Sequence, residues 1–344
     1  MNNLPDVSIV IPCRNEEKFI GQCLDSIIGN DYPKDKLQLL VVDGMSEDGT
    51  RKIVKEYAER LGFIELVDNC ERITSSAFNK GIKAAKGEVV LIMSAHSTCE
   101  GDYISQCVNY LTNTDADNVG GLCKILPQDS SLIANSIAYA LSSSFGAGNA
   151  YYRTGSRRPR YVDTVFGGCY RRSIFERIGF FDEDLVRTQD SEFNARLLKN
   201  GGRILLVPTI VSYYYTRRSL RDLWKMNLQY GYYKPLAARK IGKVYTARQL
   251  IPPLFVVSLA GSLMGGMFYN PLLLLFVFIL GFYMAVNLGF SLRISLEKGL
   301  RYLFVLPLVF GVIHFGWGIG YLKGVLDFIV FNKTKGNRDL PITR

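Results

Sequence analysis

The sequence predicts an α/β domain built on a parallel, Rossmann-like sheet, followed by an α-helical membrane region. Three observations carry that expectation. The apolar run VSIVIP at residues 7–12 has strand length and is followed by a helical pattern over 15–28. A second apolar run, 37–42, ends in Asp43, and the small-residue stretch GMSEDGT and a helical pattern over 51–61 come after it. Strand and helix alternating at this spacing describe a βαβα unit. Lastly, charge vanishes late in the chain: residues 251–290 contain no Asp, Glu, Lys or Arg, and 302–322 contain none either, leaving His314 as the one basic side chain there.

These shifts divide the 344 residues into an α/β domain over 1–215, a basic amphipathic interfacial segment over 216–249, a membrane region over 250–331 and a basic tail over 332–344. About 20 apolar residues cross a bilayer, so 251–269, 271–290 and 302–322 read as membrane segments. Buried core helices are the alternative, disfavoured by the basic residues between and around the three. Three full crossings would put Lys333, Lys335, Arg338 and Arg344 on the face opposite the α/β domain, against the positive-inside rule. The glycine-rich third segment therefore either spans or is re-entrant. The start MNNLPDVS lacks the basic residues and long apolar stretch of a secretory signal. The α/β domain is accordingly expected on the cytoplasmic side of a multi-pass cell-membrane protein.

The net charge of +10 is unevenly placed. Arg217, Arg218, Arg221, Lys225, Lys234, Arg239, Lys240, Lys243 and Arg248 are opposed by Asp222 alone. Such a run attracts nucleic acid or an anionic membrane surface. Its position beside the first membrane segment, with Trp224, Tyr230, Tyr232 and Tyr233 interleaved, points to the membrane and not to nucleic acid. Cysteines at 13, 23, 70, 99, 107, 123 and 169 show no CxxC spacing, which favours reduced, mostly buried thiols.

Ligands of open α/β sheets bind beyond the carboxyl ends of the strands, where Asp43 and Asp48 stand. The stretches VSIVIPCRNEEKFIGQCLDSI, LLVVDGMSEDGT, SSAFNKGIKAAKGEVVLIMSAHS and VFGGCYRRSIFERIGFFDEDLVRTQDSEFNARLLKNGGRILLVP resemble glycosyltransferase family 2 over roughly residues 6–235. The last two look most like bacterial exopolysaccharide enzymes of the succinoglycan-biosynthesis type. The resemblance implies a GT-A fold, a nucleotide-diphosphate sugar as donor, with a UDP-sugar expected, and inversion at the anomeric carbon. It assigns Pro12, Asn15, Glu16, Asp43 and Asp48 to the nucleotide, a carboxylate being suited to ribose hydroxyls. Helix N-terminal capping is the other reading of Glu16 and Glu17.

After the strand over 89–93 the family carries Asp-x-Asp or Asp-Ala-His, and here Ser94-Ala95-His96 stands. The resemblance puts Ser94 beside the nucleotide and His96 on a divalent cation. An imidazole suits Mn²⁺ better than Mg²⁺. A phosphate contact from His96 without metal, and a degraded, inactive site, are the other readings. Gln189 and Asp190 stand where the family has its Glu-Asp motif, which makes Asp190 the expected base. A helix N-terminal acid is the alternative. Glu192 points about 200° away on a helix and cannot share one hydroxyl with Asp190. Gly167, Gly168 and Gln189 are assigned to the acceptor and donor sugar, although a β-bulge explains the glycines as well. Arg171 and Arg172 read either as acceptor-phosphate contacts or as surface residues, and Asp182, Glu183 and Asp184 as turn and helix-cap residues. The Gln-x-x-Arg-Trp motif of processive synthases is absent, which favours single addition.

The expected function is a membrane-anchored inverting glycosyltransferase. It would move a sugar onto a polyprenyl-linked saccharide in exopolysaccharide or cell-surface glycan synthesis. A polyprenyl-phosphate sugar synthase, whose anionic acceptor needs no base, and a non-catalytic nucleotide-sugar-binding scaffold are the alternatives.

Overall fold

The alternation read from the sequence builds one half of a sheet. In a computed structural model, which describes residues 4–148, 150–242 and 246–336, β1 (Val7–Cys13), α1 (Ile20–Ile28), β2 (Leu37–Asp43), α2 (Thr50–Arg60), β3 (Ile64–Asp68), α3 (Thr74–Ala84) and β4 (Val89–Ile92) follow one another. β1 lies between β2 and β4, parallel to both, with Val7 opposite Leu37 and Val89. The strands are continuously apolar because both faces are covered. Ile9, Leu39 and Leu91 pack with Ile20 and Leu24 on one face, while Val10, Leu40 and Ile92 pack with Phe78 and Ile82 on the other.

The chain continues through β5 (Ser97–Cys99), α4 (Tyr103–Asn113), β6 (Asn118–Leu126), α5 (Leu132–Ser142), α6 (Ser144–Ala147), α7 (Tyr151–Thr154), β7 (Arg160–Tyr161), β8 (Gly168–Arg171), α8 (Ser173–Ile178), α9 (Gln189–Lys199) and β9 (Ile204–Tyr215). β8 runs antiparallel between β4 and β6, and β9 carries β5 and β7, also antiparallel. The strand order is β3-β2-β1-β4-β8-β6-β9-β5, with β7 on β9. This is the expected α/β class, with the parallel half first and a mixed half after it.

Contacts divide the chain into two units, one of residues 4–124 and 150–215 and one of 125–148 and 216–336. Residues 125–148, placed in the α/β domain by the sequence, group instead with the C-terminal helices. Ala134, Ile137 and Leu141 of α5 are buried, and α5 packs on the late helix described next.

That second unit holds α10 (Leu220–Ile241), α11 (Ile251–Gly266), α12 (Asn270–Lys298) and α13 (Leu306–Val325). Among the described residues three stretches, Ala247–Gly266, Asn270–Lys298 and Leu306–Val330, are long and apolar enough to cross a membrane. α12 outruns the expected end at 290, because Ser291–Lys298 continues the helix until Gly299 at φ 125 stops it. The third apolar helix starts at Leu306 and not at 302, since residues 300–304 form a separate 3₁₀ turn and Pro307 suits a first helical turn.

α10 and α13 lie backbone to backbone. A Cβ at Gly231 would meet the Trp317 carbonyl at 2.2 Å, and one at Gly320 or Gly324 would meet the Leu228 or Tyr232 carbonyl at 2.2 Å. This contact alters the reading of 216–249. Arg217 and Lys234 are buried, Arg239 donates to the Phe328 carbonyl at 2.7 Å, and Arg218, Arg221, Arg239 and Lys240 are exposed. Lys243 and the tail residues Arg338 and Arg344 lie outside the described residues. All seven cysteines are free, and only Cys70 is exposed.

Candidate functional site

Two loops at the carboxyl ends of β1 and β2 are stitched together. Asn15 has φ 54, a left-handed conformation that Asn tolerates better than most residues. Its amide donates to Ser46 Oγ at 2.8 Å, and its Oδ1 accepts from the Glu47 amide at 2.9 Å. The Glu16 amide donates to Thr50 Oγ1 at 2.7 Å, the Glu17 amide to Asp48 Oδ2 at 3.3 Å, and the Gly49 amide to Glu17 Oε2 at 2.9 Å. These bonds tie the two loops together, and the left-handed Asn15 interrupts the helical path, so that α1 runs from Ile20 and not from Asn15. Pro12 sits within β1 opposite Val42.

Asp43 is fully buried. Its carboxylate accepts from the Ser46 hydroxyl, from the Ser46 amide at 3.0 Å and from Arg51 at 2.7 Å. Arg51 also reaches Asp68 at 2.8 Å. Hydrogen bonds to these two carboxylates raise the Arg51 guanidinium above its ordinary value. Burial, with the charge of Asp43 behind it, pushes the Cys13 thiol well up. Asp43 therefore organises the loop from within.

Ser94, Ala95 and His96 follow β4. His96 Nδ1 lies 3.1 Å from Glu16 Oε1, and His96 Nε2 lies 3.4 Å from Ser94 Oγ. The ring packs edge-on against Tyr214 at 4.9 Å between centroids. An ionised Glu16 is acceptor-only, so it selects the tautomer with hydrogen on Nδ1 and leaves a lone pair on Nε2. Glu16 is 4% exposed, and its Oε2 is buried without a hydrogen-bond partner among the described residues.

A carboxylate holding one imidazole nitrogen while the other stays available is the usual arrangement around a metal-ligating histidine. No cluster of three or more His, Cys, Asp or Glu side chains suited to a metal occurs among the described residues. The donor set therefore fits a divalent cation only if a ligand's own oxygens complete the shell, as diphosphate oxygens do.

α9 carries the expected base. Thr188, just before it, has φ 64, a strained value for a β-branched residue. Asp190 is exposed, and its Oδ1 accepts from the Ser191 amide at 2.8 Å. Burial, and after it the Asp190 charge, pushes Tyr170 far up. Glu192 faces the other way, buried, and is gripped by Arg196 at 2.8 and 2.9 Å. The Gln189 Oε1 and Thr188 Oγ1 atoms are buried without hydrogen-bond partners among the described residues.

Gly167 and Gly168 have φ 65 and 123, and a Cβ would lie 2.4 Å from the Ile92 carbonyl or 2.6 Å from Asn118 Oδ1. Backbone conformation and packing require both glycines. Arg171 donates to the Leu111 and Thr114 carbonyls, and Arg172 to those of Ala85 and Lys86. Each guanidinium thus caps a helix C-terminus, of α4 and α3 respectively, a structural role. The Asp184 amide donates to Asp182 Oδ1 at 2.9 Å, a turn, while Glu183 accepts from Asn79 at 2.8 Å. The sequence gives no hint of Arg51 or Tyr214 as parts of the site, because both reach it through tertiary contacts.

Residues 8–179 match the model described as glycosyl transferase family 2. The chain is 30% identical over 328 residues, 93% of its length and 97% of the relative's, to the dolichyl N-acetyl-alpha-D-glucosaminyl phosphate 3-beta-D-2,3-diacetamido-2,3-dideoxy-beta-D-glucuronosyltransferase of Methanococcus voltae. It is 26% identical over 322 residues to the succinoglycan biosynthesis protein ExoA of Rhizobium meliloti, covering 93% of this chain and 95% of that one. Among solved structures it resembles the mannosyltransferase PcManGT from Pyrobaculum calidifontis in complex with GDP-Man and Mn²⁺, with a TM-score of 0.58 at 21% identity, covering 95% of this chain and 88% of that one.

Proposed function

The chain belongs to glycosyl transferase family 2, and on that premise we propose that it transfers one sugar, with inversion, from a nucleotide-diphosphate donor to a polyprenyl-linked saccharide. It is a glycosyltransferase with a GT-A fold. The Methanococcus relative is named for a dolichyl-linked acceptor, and the Rhizobium relative for succinoglycan biosynthesis. Three apolar helices suit an enzyme that works on a lipid-borne substrate. The α/β unit is assigned to the cytoplasmic side, where nucleotide sugars are made.

The observation that carries the reading is the Glu16–His96 pair, set where β4 ends beside the stitched loops. The Glu16 Oε1 oxygen holds His96, and the buried Oε2 oxygen awaits a donor such as a ribose hydroxyl. Asn15, Asp43 and Asp48 keep the nucleotide loops in shape, with Pro12 and Ser94 lining them. His96 Nε2 would hold the cation, Mn²⁺ in preference to Mg²⁺. Such a cation, when bound, offsets the charge developing on the leaving diphosphate. Asp190 takes the proton of the attacking acceptor hydroxyl. Gln189, with its unpartnered oxygen, and the backbone at Gly167 and Gly168 orient the sugars.

Purified full-length protein, given a panel of UDP- and GDP-sugars and a lipid-linked saccharide extract, tests this by product mass. One added hexose-type unit on the lipid-linked acceptor is expected. Donor hydrolysis alone, or transfer to bare polyprenyl phosphate with Asp190→Asn fully active, would overturn it.

A further inference from the structure

The loop over residues 154–160 forms a cradle of about 670 Å³ lined by Thr154, Ser156, Arg157, Arg158 and Arg160. That volume is within the range of small-ligand clefts, about 300–1,000 Å³. Three guanidiniums stand within four positions, and none is ion-paired to a carboxylate among the described residues. Like charges this close repel one another, so the fold must hold them.

It does so at both ends. The Gly155 amide closes α7 onto the Tyr151 carbonyl at 2.9 Å, and Gly155 has φ +98 with open space around a Cβ, so the backbone conformation alone demands glycine there. The Ser156 hydroxyl donates to the Arg158 carbonyl at 2.7 Å. Arg160 pairs with Leu206 through β7, and its guanidinium lies 3.7 Å from the centre of the Tyr151 ring. A cation held over an aromatic ring keeps its charge for an oxyanion.

The cradle is separate from the nucleotide loops. β7 sits on β9, and β9 is four places from β1 in the strand order, roughly 19 Å at the usual strand spacing. A donor held at the β1 and β2 loops already has its own diphosphate site.

We propose that this arginine loop binds a second diphosphate, the one joining a polyisoprenoid to the acceptor saccharide. This rests on the glycosyltransferase reading above. The chemistry recognised is a doubly phosphorylated headgroup, so a bilayer of single phosphates would bind more weakly.

The test uses full-length protein in detergent, with Mn²⁺ and saturating UDP so that the donor site is filled. Calorimetric titration with geranylgeranyl diphosphate and with inorganic pyrophosphate is compared between wild type and Arg157→Gln/Arg158→Gln/Arg160→Gln. Both ligands are expected to bind wild type and to lose affinity at least about 100-fold in the variant, from the loss of several charge-assisted hydrogen bonds. UDP affinity and the thermal transition stay as in wild type. Arg157→Gln and Arg158→Gln singly, both at exposed loop positions, are each expected to weaken binding about tenfold with the fold kept.

Equal affinity in wild type and variants overturns the proposal. So does a variant that keeps diphosphate binding while losing attachment to phosphatidylglycerol nanodiscs, which assigns the loop to lipid headgroups instead. Failure of wild type to bind UDP would count against the glycosyltransferase reading and leave the diphosphate result standing by itself.

Discussion

His96 Nδ1 and Glu16 Oε1 face each other at 3.1 Å across 80 residues of sequence. The pair joins the loop after β1 to the loop after β4 and turns the other imidazole nitrogen toward the Ser94 hydroxyl. Its consequence is measurable without turnover. Glu16→Gln is expected to lower Mn²⁺ affinity about 10- to 100-fold, the range for losing a partner that orients a ligating histidine. Electron paramagnetic resonance of Mn²⁺ with UDP present reads this directly, and unchanged affinity would remove His96 from the cation site.

Asp190→Asn should lower turnover by at least about 100-fold while nucleotide affinity stays within a factor of two, as loss of a general base requires. Steady-state rates beside UDP calorimetry separate the two. Glu192→Gln, by contrast, loosens Arg196 and is expected to show itself in stability first.

Asp43→Ala exposes the dual duty of a buried carboxylate. It removes the partner of Arg51 and Ser46, so the protein is expected to lose about 2 kcal/mol of stability and to bind UDP more weakly at the same time. Denaturant midpoints and calorimetry on the same preparation check both. A loss of affinity with unchanged midpoint would mean that Asp43 touches the nucleotide alone.

Gly320→Ala puts a methyl 2.2 Å from the Leu228 carbonyl. Overpacking of this kind costs about 1–3 kcal/mol, and the helix pair α10 and α13 must part to admit it. Thermal unfolding in detergent should fall by several degrees, whereas Gly311→Ala, with open space around it, should change little.

Much of this was legible early because strands buried on both faces read as unbroken apolar runs. β1, β2 and β4 follow that rule, and so the ends of the apolar runs mark Asp43 and Ser94 to His96 as strand-end residues, while the family resemblance alone gives them roles. The start of α1 is not marked in this way. Helical periodicity over 15–28 is satisfied by the residue types, yet Asn15 turns left-handed and the next amides bond to Thr50 and Asp48. Arg51 was missed because its partners Asp43 and Asp68 meet only when β2 and β3 pair. The duties of Arg171 and Arg172 at helix ends were equally hidden, since a sequence does not say where a neighbouring helix will stop. The apolar residues Ala134, Ile137 and Leu141 of α5 do not by themselves say what covers them.

That last point limits how the molecule can be taken apart. Residues 125–148 interrupt the α/β unit in sequence but are packed with helices translated much later, α5 against α13. No single cut releases the sheet intact. A chain stopped after β9 would carry α5 with Ile137 and Leu141 stripped of their cover, an adhesive strip in an otherwise soluble product. During synthesis the same segment must wait, its apolar side bare, until α13 leaves the ribosome some 165 residues after α5. Excising 127–147 and bridging the gap with a short glycine-serine link is therefore the route to a soluble α/β unit, where trimming from the carboxyl end is not.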